Sequence, residues 1–193
     1  MHIGSSYYTE DELVTFNFKA IGRNVKIKKN TGIFFTENIS IGDNVRIDDN
    51  SIIVASREPV KIGSYIHIGS NCYIAGSEGL VMHDFSGIAP GVMIFTGSDD
   101  YSGKKLTNPT VTRKYIGGAS GLVELGRHVI IGAGSVILPR VRIGEGASVG
   151  ALSYISMSLS PWFVYQGNPI RKLWPRSKNL LDLEKEFLSE NKI

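Results

Sequence analysis

The chain has 193 residues, 42% of them hydrophobic and 20% charged, enough to bury a core and too apolar for a disordered chain. Lys+Arg of 21 against Asp+Glu of 18 gives a formal charge of +3 spread along the chain, which argues against the clustered basic face of a nucleic-acid binder. The single Cys72 cannot form an intramolecular disulfide, no run nears the roughly 18 apolar residues of a membrane span, and Met1–Ser6 lacks the features of a secretory signal. The expectation is a cytoplasmic protein without membrane insertion.

In chain order, Thr9 followed by Glu12 has the form of a capping box and predicts a short helix within an N-terminal cap over 1–20. From Ile21 a period of six takes over. Apolar residues fall at Ile21, Ile27 and Ile33, at Ile41, Ile47 and Ile53, at Ile62, Ile68 and Ile74, and at Met82, Ile88 and Ile94. They resume at Leu125, Ile131 and Ile137 and at Ile143, Val149 and Ile155, with set starts spaced 20, 21, 20, 43 and 18 residues. A period of six fits neither a helix nor an alternating strand, but it fits short strands joined by tight bends, each pointing one apolar side chain inward. Three such strands close one triangular coil, and stacked coils bury a column of Ile and Val that no single coil could bury alone. The fold class expected is all-β, a parallel β-helix of hexapeptide repeats over 21–96 and 122–160.

Residues 97–121 break the hexads with Gly, Pro, Asn, Asp and Lys and predict an external loop, a length that in compact proteins usually carries function. Over 176–191, Leu180, Leu181, Leu183, Phe187 and Leu188 recur at helical spacing in a charged stretch. They predict a C-terminal α-helix closing the open end of the last coil.

The hexads, the run IGAGSVILPRVRIGEGASVGALS and the later Gly167-Asn168-Pro169 resemble the hexapeptide-repeat acyltransferases. The opening YYTEDELVTFNFKAIGRNVKI, IGDNVRIDD, GSYIHI and above all SDDYSG are similar to the branch that acylates the amino group of nucleotide-linked amino-dideoxy sugars. The resemblance implies a left-handed helix, a homotrimer, and acetyl-CoA or another acyl-CoA bound between subunits. It also implies a dTDP-linked amino sugar as acceptor, in surface polysaccharide (lipopolysaccharide) synthesis, and no metal. Relatives that O-acetylate sugars carry a catalytic histidine just after the fourth coil, and here Asp99 stands at that place.

That difference suits the chemistry. A hydroxyl acceptor needs a strong general base, whereas an amine is nucleophilic once neutral, so a carboxylate suffices to receive its proton. Asp99 is the first catalytic candidate. His67, placed by coil alignment in an outward column with Lys26, Arg46, Gly87 and Ile130, is the second, as donor to the thioester carbonyl or proton relay. Glu78, at a corner beside an insertion, is the third. Ser98, Asp100 and Tyr101 share the SDDYSG motif and are candidates for acceptor contacts. For the coenzyme, the resemblance points to Ala133 and Ala151, at equivalent positions of consecutive coils, and to Ser156, while Arg171, Lys172 and Arg176 follow the Gly-Asn-Pro turn and suit phosphates. The competing readings are a sugar O-acetyltransferase, a trimeric metal-dependent lyase using His67, His83 or His128, and a non-enzymatic binding solenoid.

Overall fold

The computed structural model describes residues 4–190. Its sheets are three faces of one triangular solenoid. Face 1 runs through Ala20–Ile21, Ile39–Ile41, Val60–Ile62, Leu80–Met82, Val123–Leu125 and Arg142–Ile143. Face 2 runs through Lys26–Ile27, Arg46–Ile47, His67–Ile68, Gly87–Ile88, Ile130–Ile131 and Ser148–Val149, and face 3 through Gly32–Phe34, Ile52–Val54, Tyr73–Ala75, Met93–Phe95, Val136–Ile137 and Tyr154–Ile155. The pairing within these coils is parallel and places the predicted apolar residues directly above one another. Ile27, Ile47, Ile68, Ile88, Ile131 and Val149 form one such column, and Ile33, Ile53, Ile74, Ile94, Ile137 and Ile155 another. Most of these side chains are wholly buried.

The bends explain the residues between the columns. At the corner joining faces 1 and 2, Asn24, Asn44, Tyr65, Phe85, His128, Gly146 and Trp162 all have φ between 53° and 65°. Asparagine and glycine enter this left-handed region readily, but the bulky residues pay about 1–2 kcal/mol each. Ring stacking offsets that: Tyr65 and Phe85 lie 4.7 Å apart and nearly parallel, and Phe85 and His128 5.2 Å apart. Glycine after an inward residue is required where coils touch, since a Cβ on Gly132 would lie 2.4 Å from the Ala151 amide nitrogen.

Both ends of the solenoid are covered. Helix α1 (Glu10–Val14) has the predicted capping box, with the Glu12 amide donating to Thr9 Oγ1 and the Thr9 amide to Glu12 Oε2. Its Leu13 is buried, and the Tyr8 amide donates to Ile27 O, occupying the free edge of face 2. At the other end the coil continues past the expected boundary at 160. Leu159 bridges Ile143, Phe163–Gln166 extends face 2 in parallel, and Arg171–Pro175 adds to it antiparallel.

The C-terminal helix therefore does not close the last coil. Helix α2 spans Leu180–Glu190, shorter than the expected 176–191, whose last residue lies outside the described ones. It lies along the corner between faces 1 and 2 of the middle coils. Phe187 meets the rings of Tyr65 and Phe85 edge-on, and Glu184, only 8% exposed, pairs with Arg127 and with His128 Nε2 at 2.8 Å. The helix follows the aromatic column because that column offers apolar surface that asparagine corners lack.

Candidate active site

The corner joining faces 3 and 1 holds a cleft of about 400 Å³ lined by Arg57, Glu78, Gly97–Asp99 and Ile116–Ser120. Arg57, Glu78 and Asp99 come from the second, third and fourth coils, so stacking alone sets a guanidinium and two carboxylates along one edge. Arg57 and Glu78 form an ion pair. The 97–121 segment is the expected external loop, and its two ends zip together at the cleft. Gly97 bridges Ser120, the Ser98 amide donates to Ala119 O at 2.8 Å, and the Gly121 amide donates to Thr96 O at 2.8 Å. Gly118 permits this closure, because a Cβ there would fall 1.8 Å from Ser98 O.

The two aspartates of the motif have different tasks. Asp99 lines the cleft, and its Oδ1 accepts one long hydrogen bond, 3.4 Å, from the Asn108 amide. Asp100, expected among the acceptor contacts, turns into the loop instead. It accepts from Ser102 Oγ at 2.7 Å, the Ser102 amide at 2.9 Å and the Lys105 amide at 2.8 Å. Those bonds, led by the Ser102 hydroxyl, hold its carboxyl below the usual range. Ser98 lines the cleft, whereas Tyr101 is 94% exposed and stands apart from it.

His67 sits in the expected outward column, beside Arg46 and Gly87. Its Nε2 lies 2.7 Å from Asp48 Oδ2, and Arg46 Nε donates to Asp48 Oδ1 at 2.7 Å. Burial works to raise the Asp48 carboxyl, but these two partners outweigh it and hold it below its ordinary value. The pair resembles a carboxylate-oriented imidazole. It lies on face 2, however, while Asp99 follows face 3, so one chain does not unite His67 with the Asp99 cleft.

Of the coenzyme candidates, Ala133 and Ala151 are exposed and stacked, with the Leu152 amide donating to Ala133 O, and Ser156 is exposed at the end of face 3. Lys172 Nζ lies 3.3 Å over the Phe163 ring, and Arg171 is exposed. Arg176 is not free for phosphates as expected: its Nη1 donates to His128 O and Gly146 O, tying the C-terminal segment to the aromatic corner. His83 pairs with Glu124 at 2.9 Å and His128 with Glu184, and among the described residues no group of three or more His, Cys, Asp or Glu side chains is placed to hold a metal ion. Nor is any described helix long and apolar enough to cross a membrane.

Residues 123–156 match the family model "Bacterial transferase hexapeptide (six repeats)". The solenoid and this match define a hexapeptide-repeat transferase. A dTDP-4-amino-4,6-dideoxy-D-glucose acyltransferase of Escherichia coli is 40% identical over 182 residues, 94% of this chain and 95% of that protein. AntD, an N-acyltransferase from Bacillus cereus solved in complex with dTDP and Coenzyme A, is 41% identical with a TM-score of 0.94 over 97% of this chain and 100% of that one. A maltose O-acetyltransferase of Clostridium difficile, 21% identical with a TM-score of 0.58 over 89% of this chain and 80% of that one, shares the fold alone. The chain belongs to the hexapeptide-repeat acyltransferases, in the branch these two close relatives represent.

Arg57, Asp48 and Thr96 escape a reading of the sequence. Arg57 and Thr96 lie at corners, which carry no period. Asp48 carried one signal, its position two residues beyond Arg46 in the column that contains His67.

Proposed function

We propose that this acyltransferase moves an acyl group from coenzyme A to the amino group of a dTDP-linked 4-amino-4,6-dideoxy sugar, in surface polysaccharide synthesis in the cytoplasm. The observation that carries this reading is the Asp99 cleft, where a carboxylate with only one weak partner stands at the place of the O-acetylating relatives' histidine. The neutral amine attacks the thioester carbon, the C–N bond forms, Asp99 takes the ammonium proton, and as the C–S bond breaks that proton passes to the departing sulfur, releasing coenzyme A as its thiol and Asp99 as its carboxylate. Asp99 carries the net negative charge that favours a cationic amine, and Glu78, held by Arg57, presents its carboxylate to the cleft as a hydrogen-bond acceptor for the amine. Exposed Ala133, Ala151 and Ser156, with Arg171 and Lys172, are the groups left for the coenzyme.

The acting unit is a homotrimer. Ile52, Tyr73, Met93, Val136 and Tyr154 form a register-matched outward ladder on face 3, flanked by Phe34, Val54, Ala75 and Phe95. Four of the five ladder residues are more than a third exposed in the single chain, an apolar surface of the kind that contacts another subunit. A second copy is also what brings a His67–Asp48 pair to a neighbour's cleft. Light scattering should give about three times the 21.1 kDa chain mass. The functional test incubates the protein with acetyl-CoA or 3-hydroxybutyryl-CoA and a panel of dTDP-linked amino and hydroxy sugars, followed by mass detection. Acylation of the hydroxy sugars alone would overturn the N-acyl reading.

A further inference from the structure

Two residues beyond the last inward residue of each coil stand Phe35, Ala55, Gly76, Thr96, Pro139 and Met157. Thr96 is the one that brings a hydroxyl, and it is 0% exposed. A hydroxyl buried at a position elsewhere filled by hydrocarbon or glycine is costly unless fully bonded. Here it is bonded on both sides: Thr96 Oγ1 donates to Ala75 O at 2.7 Å and accepts from the Glu78 amide at 2.9 Å. Ala75 and Glu78 begin and nearly end the tight bend of the third coil, whose Gly79 amide donates to Gly76 O. The hydroxyl therefore stitches the Glu78 bend to the fourth coil from inside. The same residue's carbonyl accepts from the Gly121 amide, closing the loop that begins at the next residue and carries Asp99.

We infer that Thr96 is a positioning residue for the acceptor, fixing the Glu78 carboxylate and its Arg57 partner at a set distance from Asp99. It touches neither substrate and acts through Glu78. The inference rests on the cleft being the acceptor site. Without the hydroxyl the Ala75 carbonyl keeps the Thr96 amide at 3.0 Å, but the Glu78 amide loses its partner inside the coil, and the bend relaxes at Glu78 outward toward solvent, carrying its side chain with it.

The test uses Thr96→Val, which keeps the volume and removes the hydroxyl, and Thr96→Ser, which keeps the hydroxyl. With acetyl-CoA and dTDP-4-amino-4,6-dideoxyglucose, Thr96→Val should raise the amino-sugar KM about tenfold, the loss expected of one buried hydrogen bond. The acetyl-CoA KM should stay within about twofold, and Thr96→Ser should restore the wild-type value within about twofold. In a Glu78→Gln background, Thr96→Val should add less than about twofold, because both act on one contact. Equal rises in both KM values, or full additivity with Glu78→Gln, would overturn the inference in favour of a scaffold role. Hydrogen exchange at the Glu78 amide decides independently of turnover: it should quicken in Thr96→Val, or in Thr96→Ala should the valine variant not fold, and unchanged exchange would refute the stitch itself. A wild-type protein that acylates no amino sugar would instead defeat the acceptor reading while leaving the exchange result to stand.

Discussion

Replacing Asp99 by asparagine separates chemistry from stability more cleanly than any other change in the cleft. The side chain makes one hydrogen bond, at 3.4 Å, beyond the usual range for N–H···O, and Asn keeps an oxygen that can take the same place. The folding cost should therefore stay within about 0.5 kcal/mol, as for surface substitutions generally, and Tm should move by no more than about 2 °C in a chain of this size. What Asn cannot do is accept a proton. Loss of a general base lowers rates by about 10²–10⁴, so kcat should fall by that factor while acetyl-CoA affinity stays nearly unchanged. Release of the coenzyme thiol, followed with a thiol-reactive dye and confirmed by product mass, measures both. If Asp99→Asn is nearly silent while His67→Asn costs more, the base is the imidazole held by Asp48, and a hydroxyl acceptor becomes the better reading. The neighbouring Asp100 supplies the control, since Asp100→Asn leaves one of three loop hydrogen bonds without its acceptor and should act through loop order.

Shortening 97–121 to a tight turn should leave thermal unfolding largely intact and abolish turnover, because nearly all of its side chains lie outside the core; dissociation of the oligomer on shortening would make the loop an assembly element instead. Burial, reinforced by Arg127 and Arg176, lowers the His128 pKa against the opposition of Glu145 and of the Glu184 carboxylate 2.8 Å away, whose charge Arg127 already pairs. The unfolded chain then binds the proton more readily, so stability is full above about pH 6.5 and falls as pH drops below it. His128→Asn, with a residue suited to its left-handed φ, should flatten the fall in Tm between about pH 7.5 and 5.5, and an unaltered slope would refute the assignment. Ser86 is buried with its hydroxyl unpaired in the column of Val25, Val45, Ile66 and Val129. Ser86→Ala should therefore leave Tm unchanged or raise it by about 2 °C, whereas a drop of several degrees would mean a hidden partner.

The coils were legible because their period of six has one physical solution, and each inward residue of the hexads lands in the column its spacing assigns. The capping box was legible because it is local. The resting place of α2 was not, since helical spacing says that one face is buried without saying against what. A signal did exist: Tyr65, Phe85 and His128 stand where earlier coils use asparagine, and large rings at strained corners need something to cover them. The seventh, partial coil was hidden because Leu159 follows Ile155 after only four residues, although Leu159 and Tyr165 then keep the six-residue step across Pro161. In the candidate site, the motif singled out Asp99, and the side chain lines the cleft. Asp100 was misassigned because two adjacent aspartates look alike in sequence, and only the turn decides which one spends its oxygens on the backbone.

The position of the cleft follows from the geometry of the corners. Between faces 1 and 2, and between faces 2 and 3, the inward residues keep a strict six-residue step through the coils, as from Ile41 to Ile47 to Ile53 and from Leu125 to Ile131 to Ile137. Those bends are closed by residues with left-handed φ, such as Asn44 and Asn50, and an added residue would throw the next strand out of register. The third corner obeys no such rule. The step from face 3 to face 1 lengthens from Ile33 to Ile41, again from Ile53 to Ile62, and most of all from Ile94 to Leu125. Yet Ile41, Ile62 and Leu125 still pair in register with their neighbours. A solenoid can therefore grow chemistry at this corner without disturbing the columns that hold it together, and Arg57, Glu78 and Asp99 all lie in such lengthened segments. Moving the same three residues to either strict corner would require side chains compatible with a left-handed bend and would leave no room for a cleft. The cleft lies where the repeat permits irregularity.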